Sequence, residues 1–204
     1  MTHRPRTHHR ITLLLAQECA RIMTEEGIQD FGTAKRKAAL RLGIPDKAVL
    51  PDNTAVEQAL IDRQRLFHAD HQPLRLRGLR ETALEAMHFL ACFRPRLVGS
   101  VLSGAASSHA GVHLHLFAEP IEEVPLFLME HRIPFKTSER RLKMANGTPL
   151  CQPVFSFTAG DTPIDLTIFA LLAEREAPRS PVDGRPMRRA GLAEVQALLA
   201  GDPA

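Results

Sequence analysis

The chain has 204 residues, 44% hydrophobic and 24% charged, which is the balance of a globular protein rather than a disordered one. Ten Phe stand without a single Trp or Tyr, which argues against a protein that stacks bases or sugars on aromatic platforms. The net charge of +3 sits in the front half: residues 1–95 carry 15 Lys/Arg against 11 Asp/Glu, and residues 96–204 carry 11 against 12. That excess is too small to mark a nucleic-acid binder by itself.

The first ten residues are basic and read as a disordered tail, with His3, His8 and His9 solvated rather than gathered as ligands. The apolar run behind them, residues 11–16, is short and leads into charged residues without a cleavage site. No stretch approaches the ~20 apolar residues of a membrane span, so a cytoplasmic chain with no membrane partner is expected. Ile11, Leu14, Leu15, Cys19, Ile22 and Met23 recur at helical steps and predict a first helix ending at Gly27. A second helix is predicted over 33–42, stopped by Gly43 and Pro45. Asp52, Asn53 and Thr54 offer N-caps for a third, with Val56, Leu60, Leu66 and Phe67 facing in. A fourth runs over 74–93, with Leu76, Leu79, Ala83, Met87, Leu90 and Ala91 as its stripe. Residues 11–94 therefore read as a small helical bundle.

After Pro95 the period changes. Residues 96–102 read as a strand feeding a small-residue loop over 103–110. Val112, Leu114 and Leu116 alternate with His113, His115 and Phe117, the two-residue period of a strand. A helix over 121–131 follows, then strands over 135–144, 151–158 and 163–169, the last two joined by a tight turn at Gly160–Asp161. On the final strand Ile164, Leu166 and Ile168 face one side, Asp165 and Thr167 the other. A Pro/Arg-rich loop precedes a helix over 192–200. The fold class is α+β: a helical bundle, then residues 95–204 as a mixed or antiparallel sheet with helices packed on it. Cys19, Cys92 and Cys151 lie far apart with no CxxC spacing and read as small core residues.

The stretch 97–117 carries the chemistry. A strand ends in Gly99–Ser100, a loop of small residues follows, a second strand comes about ten residues later, and Asp165 lies on the polar face of a later strand. This order resembles the nucleotidyltransferase fold of the polymerase-β superfamily, in particular small bacterial members described only as nucleotidyltransferase-like. The resemblance covers about residues 95–170. It implies that Gly99 and Ser100 cradle the phosphates of a nucleoside triphosphate, where small side chains let the backbone approach phosphate oxygens. It also implies that Asp165 is the third of three carboxylates that hold Mg²⁺ in active members. The Asp-x-Asp pair of those members is degenerate: Gly111 and His113 stand in its place. Glycine and histidine supply none of the carboxylate oxygens that Mg²⁺ prefers. The expectation is a non-catalytic descendant that binds a nucleotide, RNA or protein partner. The alternative is a divergent active enzyme that uses Mg²⁺ to move a nucleoside monophosphate to a hydroxyl.

A further alternative is an unrelated metal-binding or interaction protein, in which His113 and His115 hold a softer metal with Asp165 or His109. Against it stands the ordinary use of histidines on a half-exposed strand face. Lys35, Arg36, Lys37 and Arg41 could meet nucleic-acid phosphates, or simply solvate a helix. Arg75, Arg77 and Arg80 could reach a triphosphate, or cover a helix surface. The loop 180–189 could clamp an anion with its arginines, or tether the last helix. Ser100 and Ser103 lack a Gly-x-Ser-x-Gly elbow, so neither reads as a nucleophile.

Overall fold

A computed structural model describes residues 4–44, 50–67, 72–107, 109–144 and 147–201. Pro45, His3 and the side chains of His8 and Phe67 lie outside the described residues. The chain divides into two compact units: residues 1–72 with 107–110 and 181–183, and residues 73–106 with 111–180 and 184–204.

The first unit holds α1 (Arg4–Glu25), α2 (Phe31–Arg41) and α3 (Asn53–Phe67). Leu15, Cys19, Ile22, Val56 and the small Ala34 and Ala38 are fully buried in it. Asp30 caps α2 by accepting the Thr33 N–H at 2.7 Å, and Asp52 caps α3 by accepting that of Ala55 at 2.6 Å. Two expectations change here. α1 starts at Arg4, inside the segment read as a tail, because helical turns can precede the apolar stripe that begins at Ile11. Leu66 is 77% exposed rather than turned inward. The basic residues of α2 are largely engaged within the unit: Lys37 and Arg41 pair with Glu26, and Arg36 donates to the Thr33 hydroxyl.

The second unit starts with all but the first residue of α4 (Gln72–Phe89), so the bundle boundary expected at residue 94 falls instead at Pro73. The reason lies in what α4 buries. Leu79, Ala83 and Met87 form its stripe, and Arg80 between them is 6% exposed, its Nε donating to the Val101 carbonyl at 3.3 Å. Arg80 is therefore a structural link, not a surface charge awaiting a phosphate. Beyond a short 3-10 turn (Ala91–Phe93) come β1 (Arg96–Val98), α5 (Ser100–Ser103), β2 (Val112–Phe117), α6 (Glu123–Glu130), β3 (Lys136–Lys143), β4 (Pro149–Ala159), β5 (Thr162–Phe169) and α7 (Leu192–Gly201). The first strand is shorter than expected, because the positive φ of Gly99 turns the chain into α5. Cys92 and Cys151 are exposed; of the three cysteines only Cys19 is a core residue.

The five strands form one mixed sheet in the order β1-β2-β5-β4-β3, with β2 and β5 parallel and all other neighbours antiparallel. Ala190 extends it by exchanging two backbone hydrogen bonds with Leu97, at 2.8 and 2.9 Å. Among the described residues, no helix is long and apolar enough to cross a membrane.

Candidate functional site

The strand register places the site. Val98, His113, Asp165, Ser156 and Lys136 are successive partners across all five strands, one line through the sheet. Two residues along, on the same face, runs a second line: Arg96, His115, Thr167, Val154 and Ser138. Two of the residues singled out from sequence, His113 and Asp165, are thus direct neighbours on β2 and β5.

Asp165 is held from three sides. Ser156 donates its hydroxyl to Oδ1 at 2.7 Å, and Arg140 donates Nη2 to Oδ2 at 2.9 Å. His113 Nδ1 lies 3.3 Å from the same Oδ2, and this buried nitrogen makes no in-line hydrogen bond, so the approach is a close electrostatic contact. The His113 ring foremost, then Ser156 and Arg140, hold the Asp165 carboxyl well below its ordinary range, although burial works the other way. Each oxygen of the carboxylate therefore accepts a hydrogen bond.

Gly99 lies beside this group. Its φ of 77° and ψ of −155° fall in a region that only glycine enters freely, and a Cβ there would stand 3.4 Å from His113 Cδ2. Ser100 opens α5, and the Gly99 carbonyl accepts the Ser103 N–H at 3.0 Å. Gly111 has a different constraint. A Cβ at this position would lie 2.7 Å from the Pro163 carbonyl oxygen, closer than side-chain carbons approach. On this backbone, position 111 has no room for a side chain, carboxylate or other.

His115 is turned to another task. It is 2% exposed, and its Nδ1 accepts the Arg189 Nε–H at 3.0 Å. Burial first, then the Arg189 charge, push its pKa down to about 3, so the ring is a neutral acceptor. Arg189 stacks 5.0 Å from the centroids of both Phe117 and Phe169 and donates Nη1 to the carbonyls of Ala173 and Glu174, at 3.0 and 3.3 Å. Burial lowers the guanidinium pKa to about 10. This arginine from the loop over 180–189 thus anchors the chain to the sheet, while Arg188 pairs with Glu194 at the start of α7.

Of the residues considered for a metal, His115 accepts the Arg189 Nε–H through Nδ1, and Asp165 accepts from Ser156 and Arg140. Among the described residues no three His, Cys, Asp or Glu side chains are arranged to hold a metal ion. Arg140, Ser156 and Arg189 are site residues for which the sequence carries no motif. Arg140 lies in Lys-Thr-Ser-Glu-Arg-Arg-Leu-Lys, a run that reads as solvated strand charge.

A groove of about 530 Å³ between α1 and α3, lined by Leu13, Ala16, Ala55, Ala59 and Leu66 among others, contains none of these site residues. In comparisons with known proteins, no family model matches the chain and no curated protein is similar to it.

Proposed function

We propose that this chain is a non-catalytic protein of nucleotidyltransferase type that binds a nucleoside triphosphate on the polar face of its sheet without a divalent metal. The observation that carries the reading is the state of Asp165, each of whose oxygens accepts a hydrogen bond, one from Ser156 and one from the cationic Arg140. Two-metal phosphoryl transfer needs carboxylates free to coordinate two cations. Here one carboxylate is neutralised by a guanidinium, a second position is closed by the Pro163 carbonyl, and a histidine stands at the third.

The charge of the face supports an anionic ligand. Of the described side chains that the five strands place there, Asp165 is the one acid, against Arg96, Lys136 and Arg140. Arg96 is taken by Glu174 at 2.8 Å, which leaves Lys136 and Arg140 to offset the single carboxylate. A nucleotide is favoured over RNA because Lys37 and Arg41 of α2 are paired with Glu26 and Arg36 donates to the Thr33 hydroxyl.

The test is incubation of the full chain with labelled ATP, GTP, CTP and UTP in Mg²⁺ or Mn²⁺, following both retention of nucleotide and release of pyrophosphate. Retention without release is the expected result. Release that disappears in Asp165→Ala would make the chain an active nucleotidyltransferase that transfers the monophosphate to a hydroxyl. Failure to retain any of the four would return it to the interaction proteins.

A further inference from the structure

We infer that Arg140 is the residue that grips the phosphates of the ligand, and that Asp165 is its positioning residue; this rests on the nucleotide-binding reading above. Arg140 arrives from β3, the strand at the far edge of the sheet from Gly99, and reaches diagonally past its own register partner, Gln152, to Asp165. Its side chain is 39% exposed against 25% for Asp165, so the pair lies at the surface of the face rather than beneath it. A guanidinium has five N–H donors in a rigid fork, and the bond to Asp165 uses one of them. The rest remain for a second anion, and the fork geometry matches phosphate as well as carboxylate.

The orientation of that fork is built, not accidental. Ser156 fixes one carboxylate oxygen at 2.7 Å, which leaves the other directed at Arg140. A long side chain held at one end loses less freedom when a ligand binds the other end. Lys136 stands four residues earlier on the same face of β3, opposite Ser156 and exposed, and adds a positive charge to that face. A guanidinium and an ammonium on one strand face provide by charge and hydrogen bonding what Mg²⁺ provides elsewhere: compensation of a polyphosphate. The ligand class this recognises is a di- or triphosphate chain, and nothing in these two side chains reads a base.

Arg141 supplies the control, since it carries the same charge one residue on and therefore on the opposite face. The experiment is calorimetric titration of the full chain and of Arg140→Ala, Arg140→Lys, Asp165→Asn and Arg141→Ala, with ATP and with inorganic triphosphate, in the presence of EDTA. Circular dichroism melts of each variant check that it folds. Arg140→Ala is expected to weaken both ligands roughly tenfold or more, as loss of a charge-assisted contact does. Arg140→Lys, which keeps the charge without the fork, should recover only part of this, and Asp165→Asn should fall between Arg140→Ala and the natural chain. Arg141→Ala should bind as the natural chain does. If ATP binds and a folded Arg140→Ala matches Arg141→Ala, the assignment of Arg140 is overturned while the nucleotide reading stands. If inorganic triphosphate binds through Arg140 and ATP does not, the nucleotide reading fails and the assignment of Arg140 stands. Binding of neither ligand overturns both.

Discussion

The two faces of the sheet are made by the same strands and separated by one residue of register, yet they follow different rules. On one face Leu97, Leu114, Leu166 and Phe155 are successive partners, none more than 6% exposed. On the other, His113, Asp165, Ser156 and Lys136 occupy the neighbouring line. The apolar line is held by area removed from water, so side chains of similar volume can replace one another there. The polar line is held by specific donors and acceptors, and the half-buried Asp165 is tolerable only because three neighbours compensate it. Stability should therefore depend mainly on the first face, and ligand binding on the second.

The sharpest way to break this contrast is Leu114→Ala, which empties a fully buried position on a strand with neighbours on both sides. It should cost about 2–5 kcal/mol in urea unfolding, with the ligand affinity of the molecules that remain folded unchanged. Next in size is Gly111→Asp, which places a carboxylate where the backbone leaves no room for one. Crowding against Pro163 should destabilise the fold by about 1–3 kcal/mol, and no pyrophosphate release should appear. A stable variant that releases pyrophosphate would show that the position is merely vacant.

Acid should separate the two lines of the polar face. His115 has its pKa lowered from 6.5 to about 3, so between these values the unfolded chain binds more protons than the folded one. The stability it confers is complete above pH 6.5 and falls as pH drops through that window, by up to about 1.4 kcal/mol per pH unit. Asp165 is also depressed, but from an ordinary value of 3.8, so its contribution is lost only at lower pH, as the medium falls below that value. His115→Gln keeps an acceptor for Arg189 and should flatten the loss between pH 6 and 4, read from urea midpoints at each pH. A slope unchanged by this substitution would assign the acid sensitivity elsewhere. The smallest effect should be that of Arg141→Ala on stability, within about 0.5 kcal/mol, as befits an exposed strand charge.

The sequence shows one face better than the other. Alternation of Val112, Leu114 and Leu116 with two histidines, and of Ile164, Leu166 and Ile168 with Asp165, reveals two of the three inner strands and which residues share a side. It cannot reveal who completes the polar face. Arg140 belongs to a strand of mixed charges with no apolar alternation to orient it, and Arg189 meets His115 across 74 residues of chain. The membership of α4 is hidden for a similar reason, because a stripe of Leu79, Ala83 and Met87 fits a bundle and a sheet equally well. Gly111 looks like a lost aspartate in sequence, and only the approach of the Pro163 carbonyl in three dimensions shows why a glycine stands there.

The central claim is that cationic side chains, not Mg²⁺, meet the ligand on the polar face. Its most direct test is calorimetric titration of the metal-stripped protein with ATP, once in EDTA and once in Mg²⁺. Equal affinity in the two, or weaker affinity in Mg²⁺ because the metal masks the phosphates, is the predicted result. Affinity that appears or rises markedly only with Mg²⁺ would mean that a metal site survives around Asp165, and would contradict the account.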